Sequence, residues 1–394
     1  MLAFSGERLW TPADAVERPL VLVDEGRVVE ISARSSRQLP AGAPVTDFGE
    51  GLMAPGYIDL HVHGGAGYDV MDDAAEALPA IERLLARHGV TSYFPTTVTA
   101  PMDATLRALE RLANAIEKRE RERQQNNPAG ASRPLPLGIH LEGPFISHAR
   151  RGVHPPQYLL APTLAWFERF WQAASGRIRM MTIAPELENS IEVIAEAARR
   201  GVCVSLGHSD ADLETAERGI AAGAHHATHT FNAMRPLDHR SPGILGAVLT
   251  DRRVSADIIA DGVHLDPAIV KLVAAAKGPE QTVLITDAIS ATGMPDGRYR
   301  LGSFEVDVRD GKCMADGRLA GSVLTMDRAV RNLARFAAWD LRHAVAAASR
   351  NPARVAGIAN KGVLAVGADA DFVVLNQAGE VLRTFIGGME CSGG

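Results

Sequence analysis

Through the middle of the chain, apolar runs of strand length, each closed by glycine, proline or ionisable residues, alternate with stretches in which apolar positions return every three or four residues. Runs of the first kind predict strands, and stretches of the second kind predict amphipathic helices. Eight strands are expected, at 57–63, 92–97, 137–142, 180–184, 203–207, 226–229, 254–259 and 283–287. Helices are expected at 74–88, 103–124, 190–200, 212–222, 267–277 and 325–338. Such alternation is the mark of a parallel sheet with crossover helices. The ends of the chain read differently. Residues 20–32 form a hairpin pattern around Asp24-Glu25-Gly26, and 362–375 with 384–386 are short strands separated by glycine turns. The two ends are expected to pair into one β domain. No repeat of solenoid period is present.

The first barrel-like run, Pro55-Gly56-Tyr57-Ile58-Asp59-Leu60-His61-Val62-His63-Gly64-Gly65, ends in two histidines one residue apart. Strand side chains alternate faces, so His61 and His63 point the same way and can grip one cation. Alone, such a pair serves equally well as structural polar residues. Other strands end in the same manner: His140-Leu141-Glu142, Gly207-His208-Ser209-Asp210, Ala227-Thr228-His229 and Thr286-Asp287. An isolated histidine or glutamate at a strand end is more often a satisfied polar residue than a ligand. Agreement among five strands reverses that, because reactive groups of a (β/α)8 barrel collect at the C-terminal strand ends.

Glu142, His208 and His229 offer one carboxylate and two imidazoles, a three-ligand set that leaves coordination positions open for water. His61 and His63 can add a second cation, with Glu142 as the bridge. Asp287 is the remaining acid at the rim, suited to moving a proton. No strand ends in a lysine that could be carboxylated to bridge two metals.

Length and charge narrow the picture. The chain has 394 residues, enough for one barrel and a smaller domain, and its net charge of -6 provides no footprint for nucleic acid. No apolar run approaches a membrane span, and the first residues lack a basic segment followed by an apolar one, so a cytoplasmic protein is expected. Cys203, Cys313 and Cys391 are odd in number and scattered, which argues against a disulfide framework. Residues 117–133 are expected to be a solvated helix end and loop without a role, since glutamates interleave the arginines.

Pro-Gly-x-Ile-Asp-x-His-x-His-Gly at residues 55–64 resembles the first barrel strand of the amidohydrolase superfamily. More closely, His140-Leu-Glu142-Gly-Pro-Phe, Arg151-Gly-Val-His154, Gly207-His208-Ser209-Asp210-Ala211, Thr228-His229-Thr-Phe-Asn232-Ala233-Met234, Asp261-Gly-Val-His264 and Leu319-Ala320-Gly321-Ser322 are similar to the N-acetylglucosamine-6-phosphate deacetylase family. The resemblance implies a (β/α)8 barrel at 55–352 and a discontinuous β-sandwich from 1–54 and 353–394. It implies metal-dependent hydrolysis of the acetamide of N-acetyl-D-glucosamine 6-phosphate, with Asp287 as general base and acid and His154 stabilising the oxyanion. Val153, His154, Asn232, Ala233, Leu319, Ala320, Gly321 and Ser322 match substrate-contacting positions. Arg240 and His264 match phosphate-binding positions that reach a neighbouring site, so a homodimer is implied. Some members lack the first histidine pair and use one metal; retention of His61 and His63 admits a second, zinc or ferrous iron. Residues 291–316 read as an inserted hairpin at the mouth that could act as a lid. An amidohydrolase of another amide remains an alternative, and a catalytically silent scaffold would be expected to have lost ligands that are all present.

Overall fold

The computed structural model describes residues 1–34, 44–124 and 133–391. All eight expected strands form: β1 (Tyr57–Val62), β2 (Val90–Thr97), β3 (Ile139–Glu142), β4 (Ile178–Ile183), β5 (Cys203–Leu206), β6 (His226–Ala227), β7 (Ser255–Ile258) and β8 (Thr282–Leu284). Each runs parallel to the next in chain order. The ring closes where Val62 bridges Ala288, with the Asp287 amide donating to His61 O at 3.0 Å and the His63 amide to Ala288 O at 2.8 Å. Strands covered on both faces bury apolar residues on each, so these runs lack the strict alternation of a half-exposed strand, and the polar residues within them, such as Asp59, Thr182 and Asp257, are buried too.

β5, β6 and β8 stop short of their expected ends for a common reason. His208, His229 and Asp287 carry positive φ of 47°, 33° and 51°, so the backbone turns out of strand geometry at the functional side chains.

The six expected helices are present, and Asp212 caps one of them by accepting the Thr215 amide at 2.9 Å. The helix starting at Pro267 runs to Gln281 across a kink at Gly278. Among the described residues, four α-helices escaped the sequence pattern: Leu164–Ala173, Gly243–Thr250, Leu341–Ala347 and Arg350–Val355. Gly243–Thr250 has no polar face, because most of it is buried, and so carries no helical periodicity. The last of the four crosses the expected domain boundary at 353, and its Ala353 and Val355 pack into the barrel core.

Both chain ends do share sheets. Phe372–Leu375 pairs on one side with Val381–Ile386 and on the other with Leu52–Pro55, which in turn lies beside Arg8–Trp10. A second sheet joins Leu2–Ser5, Pro19–Asp24, Arg27–Ala33 and Val45–Asp47. Phe372 and Phe385 face each other across their strands with centroids 4.5 Å apart, and Phe4 meets both edge-on. Leu52–Pro55 feeds β1 through Gly56, where an added Cβ would fall 2.4 Å from Thr91 Cγ2.

The segment expected to be solvated is only partly so. Arg119 is buried against Glu122 at 2.9 Å and Arg133 O at 3.0 Å, while Arg123 reaches Asp369 of the terminal domain at 2.7 Å. Arg119 is thus spent inside the protein and Arg123 on a contact with the terminal domain that local sequence could not reveal, while Glu117, Lys118 and Arg121 stay exposed. The expected loop at 125–132 lies outside the described residues. The three cysteines are unpaired.

The insertion after β8 is a four-stranded antiparallel meander, Gly297–Leu301, Phe304–Arg309, Lys312–Ala315 and Arg318–Leu319. Its own apolar cluster includes Val306, Val308 and Cys313 and extends to Val98 beside β2. Asp69 accepts the Gly302 amide at 2.7 Å and ties it to the loop after β1.

Candidate metal centre

At the C-terminal end of the barrel, two groups of ligand atoms share one carboxylate. Glu142 Oε1 lies 3.2 Å from His208 Nε2 and 3.1 Å from His229 Nε2. Glu142 Oε2 lies 3.4 Å from His61 Nε2 and 3.1 Å from His63 Nε2. Asp287 Oδ1 completes the second group, at 3.5 Å from His61 and 3.3 Å from His63. All six residues are buried.

Three of these imidazoles set their Nδ1 against a backbone carbonyl: His63 on Thr96 at 3.0 Å, His208 on Arg150 at 2.9 Å and His229 on Asn232 at 3.2 Å. A carbonyl only accepts, so Nδ1 holds the proton and Nε2 presents a lone pair. His208 and His229 therefore turn acceptors on each other at 3.0 Å with a carboxylate beside them, and His61 and His63 approach at the same distance. A proton could bridge one such contact; a cation answers all of them together. The donor set fits a divalent ion in each group.

His154 is arranged the other way. Its Nδ1 accepts from the Thr99 amide at 3.4 Å and the Thr99 hydroxyl at 2.8 Å, which leaves the proton on Nε2, 3.6 Å from Glu142 Oε2. This ring is a donor beside a ring of acceptors. Burial lowers His208 to about 4, whereas at His229 burial is overridden by the Glu142 carboxylate, which raises the ring to about 9. Burial raises the Asp287 carboxyl, and it is positive charge on the His61 and His63 side, carried by a proton or by a cation, that holds the group at about 2.

A cavity of about 240 Å³ opens over these groups. Its wall includes His63, Glu142, His154, His208, His229 and Asp287, together with Val153, Asn232, Ala233, Leu319 and Gly321. His61 is sealed behind the wall at 0% exposure, as are Ala320 and Ser322 at 1% and 2%. Ser322 instead braces Asp287 from behind, its amide donating to Asp287 O at 2.8 Å. Asn232 Nδ2 is shielded without a partner, a spare donor close to the cavity.

His264 is held by Asp261. Asp261 accepts its amide at 2.8 Å and its Nδ1 at 2.7 Å, folding the turn back so that His264 lines the cavity of its own chain. Arg240 stays exposed on the turn after β6, off the cavity wall. Sequence reasoning missed Val98, Gly152, Leu301 and Arg318, which also line the cavity. Arg318 directly precedes the Leu319 to Ser322 block, and that adjacency was the available signal.

Residues 52–391 match the amidohydrolase family model. The chain belongs to the amidohydrolase family. It is 39% identical to N-acetylglucosamine-6-phosphate deacetylase of Bos taurus over 87% of this chain and 84% of that one. It is equally 39% identical to N-acetylgalactosamine-6-phosphate deacetylase of Escherichia coli, over 90% and 91%. A solved mutant N-acetyl-D-glucosamine-6-phosphate deacetylase of Mycobacterium smegmatis, in complex with N-acetyl-D-glucosamine-6-phosphate, superposes with a TM-score of 0.89 at 33% identity, covering 99% of both chains. These likenesses place the chain among the sugar-phosphate deacetylases of the family. Among the described residues no helix is long and apolar enough to cross a membrane.

Proposed function

We propose that the chain hydrolyses the acetamide of N-acetyl-D-glucosamine 6-phosphate to D-glucosamine 6-phosphate and acetate. The observation that carries this is the convergence of two ligand groups on Glu142 in one cavity with Asp287 and a donor His154. Glu142, His208 and His229 would hold the principal cation, and His61 and His63 a second, zinc or ferrous iron suiting both sets. The chemistry such an ion supplies when bound is acidification of water to a pKa of ~7 and polarisation of a carbonyl.

Asp287 takes the proton of the attacking water and returns it to the nitrogen as the C–N bond breaks. His154 Nε2–H faces the acetyl oxygen as that oxygen gains charge. Asn232 and the Ala233 backbone, with Leu319 and Gly321 on the far wall, orient the sugar, and His264 takes the phosphate. Arg240, exposed off the wall, would serve the cavity of a second copy in a homodimer.

The sugar epimer is the open branch of this reading, since relatives of equal identity are named for both. Acetate release by metal-quantified protein should be followed with N-acetylglucosamine 6-phosphate, its galacto epimer and unphosphorylated N-acetylglucosamine. Turnover is expected with the first and absent with the last. Turnover of the unphosphorylated sugar alone would refute the proposal.

A further inference from the structure

The meander at the mouth also grips the turn that presents His154. Arg318 Nη1, on its last strand, donates to Gly152 O at 2.8 Å. Gly152 belongs to a turn whose other groups are committed to the site. Arg150 O receives His208 Nδ1 at 2.9 Å, and Arg151 Nη1 reaches His154 O at 2.7 Å. Gly152 has φ of 59°, and an added Cβ would lie 3.3 Å from His208 Cε1, so the turn rests directly on that ring. Val153 packs into the apolar cluster of the meander. The His154 and His208 rings themselves sit 4.7 Å apart.

We propose that Arg318 is a positioning residue: by clamping Gly152 to the meander it fixes the turn through which His154 and His208 take their places. The inference rests on the reading of His154 as the donor to the acetyl oxygen. The guanidinium is exposed, so the fold does not depend on it. It also borders the cavity, which makes direct contact with the anionic end of a substrate the competing role.

The test compares metal-loaded wild type with Arg318→Met and Arg318→Lys. Metal content, kcat and KM for N-acetylglucosamine 6-phosphate are measured, with amide hydrogen exchange across residues 147–158. A charge-assisted bond to one carbonyl should cost the Met variant roughly tenfold in kcat. Its metal content should be unchanged and its KM within about twofold. Exchange should rise in the turn alone, and the Lys variant, which keeps a donor, should recover most of the loss. A raised KM at unchanged kcat would assign Arg318 to the substrate and overturn the proposal, as would unaltered exchange in the Met variant. Exchange reports the clamp whatever the substrate is, so an inactive wild type with the expected exchange change would count against the substrate reading and not against the clamp.

Discussion

Asp59 and Thr286 lock the seam of the barrel: the Thr286 hydroxyl donates to Asp59 Oδ2 at 2.5 Å, and the Thr286 amide to Oδ1 at 3.3 Å. Asp59 Oδ1 also accepts the His61 amide at 3.2 Å. One buried carboxylate thus holds β1 to the end of β8, between a ligand histidine and Asp287, where the strands otherwise meet at a single bridge.

Replacing Asp59 by Ala strands three donors in the interior, and the expected loss is on the order of 3 kcal/mol. Asp59→Asn keeps an acceptor oxygen and should lose less. Thermal melts of both variants check the order, with metal analysis showing the larger deficit in the Ala variant.

Removal of the first histidine pair should halve the metal complement. Wild-type protein dialysed against zinc is expected to hold two equivalents, and the His61→Ala, His63→Ala double variant one. Elemental analysis decides it; an unchanged stoichiometry would mean that the pair holds no ion.

Asp287→Asn keeps the size of the side chain and removes the base. A loss of ~10²–10⁴-fold in kcat is expected, with little change in KM. Steady-state kinetics on metal-saturated protein measure it, and retention of more than a tenth of wild-type kcat would show that Asp287 does not move the proton.

Asp327 gives the fold a dependence on acid that is separate from the site. Burial would raise its pKa, but hydrogen bonds with His88 at 3.0 Å and with Thr325, and then the charge of Arg331 at 3.3 Å, prevail and hold it at about 2. A carboxyl lowered in the folded state contributes stability that is full above its unfolded pKa and lost as pH falls through the folded value. From 3.8 down to about 2 the contribution is about 2 kcal/mol. Urea melts should find Asp327→Asn weaker than wild type by about that amount at pH 7. The gap should close as the pH falls from 4 toward 2.

The barrel and most of the site were legible because the strands are mostly apolar runs of strand length and five of them end in an ionisable residue. Glu142, His208 and His229 need no tertiary knowledge beyond that placement. The Asp59 to Thr286 lock spans 227 residues, and although both lie in recognised motifs, nothing local says that they pair with each other. The tautomers were equally hidden, since they depend on whether Nδ1 meets a carbonyl, as at His208, or an amide, as at His154. The turn of His264 into its own cavity rests on Asp261, three residues away and visible in the sequence, whose carboxylate accepts both the His264 amide and its ring nitrogen.

Strand Leu52–Pro55 lies between Arg8–Trp10 and Phe372–Leu375. On the ribosome, its outer edge must wait for about 300 further residues, roughly 15–60 s at ordinary rates of synthesis. Throughout that interval the nascent chain carries an open edge next to a growing barrel, the kind of surface that recruits a wrong partner. Synthesis of Phe372–Leu375 therefore closes this edge, and chains that terminate before residue 372 should aggregate even when every ligand of the centre has already been made.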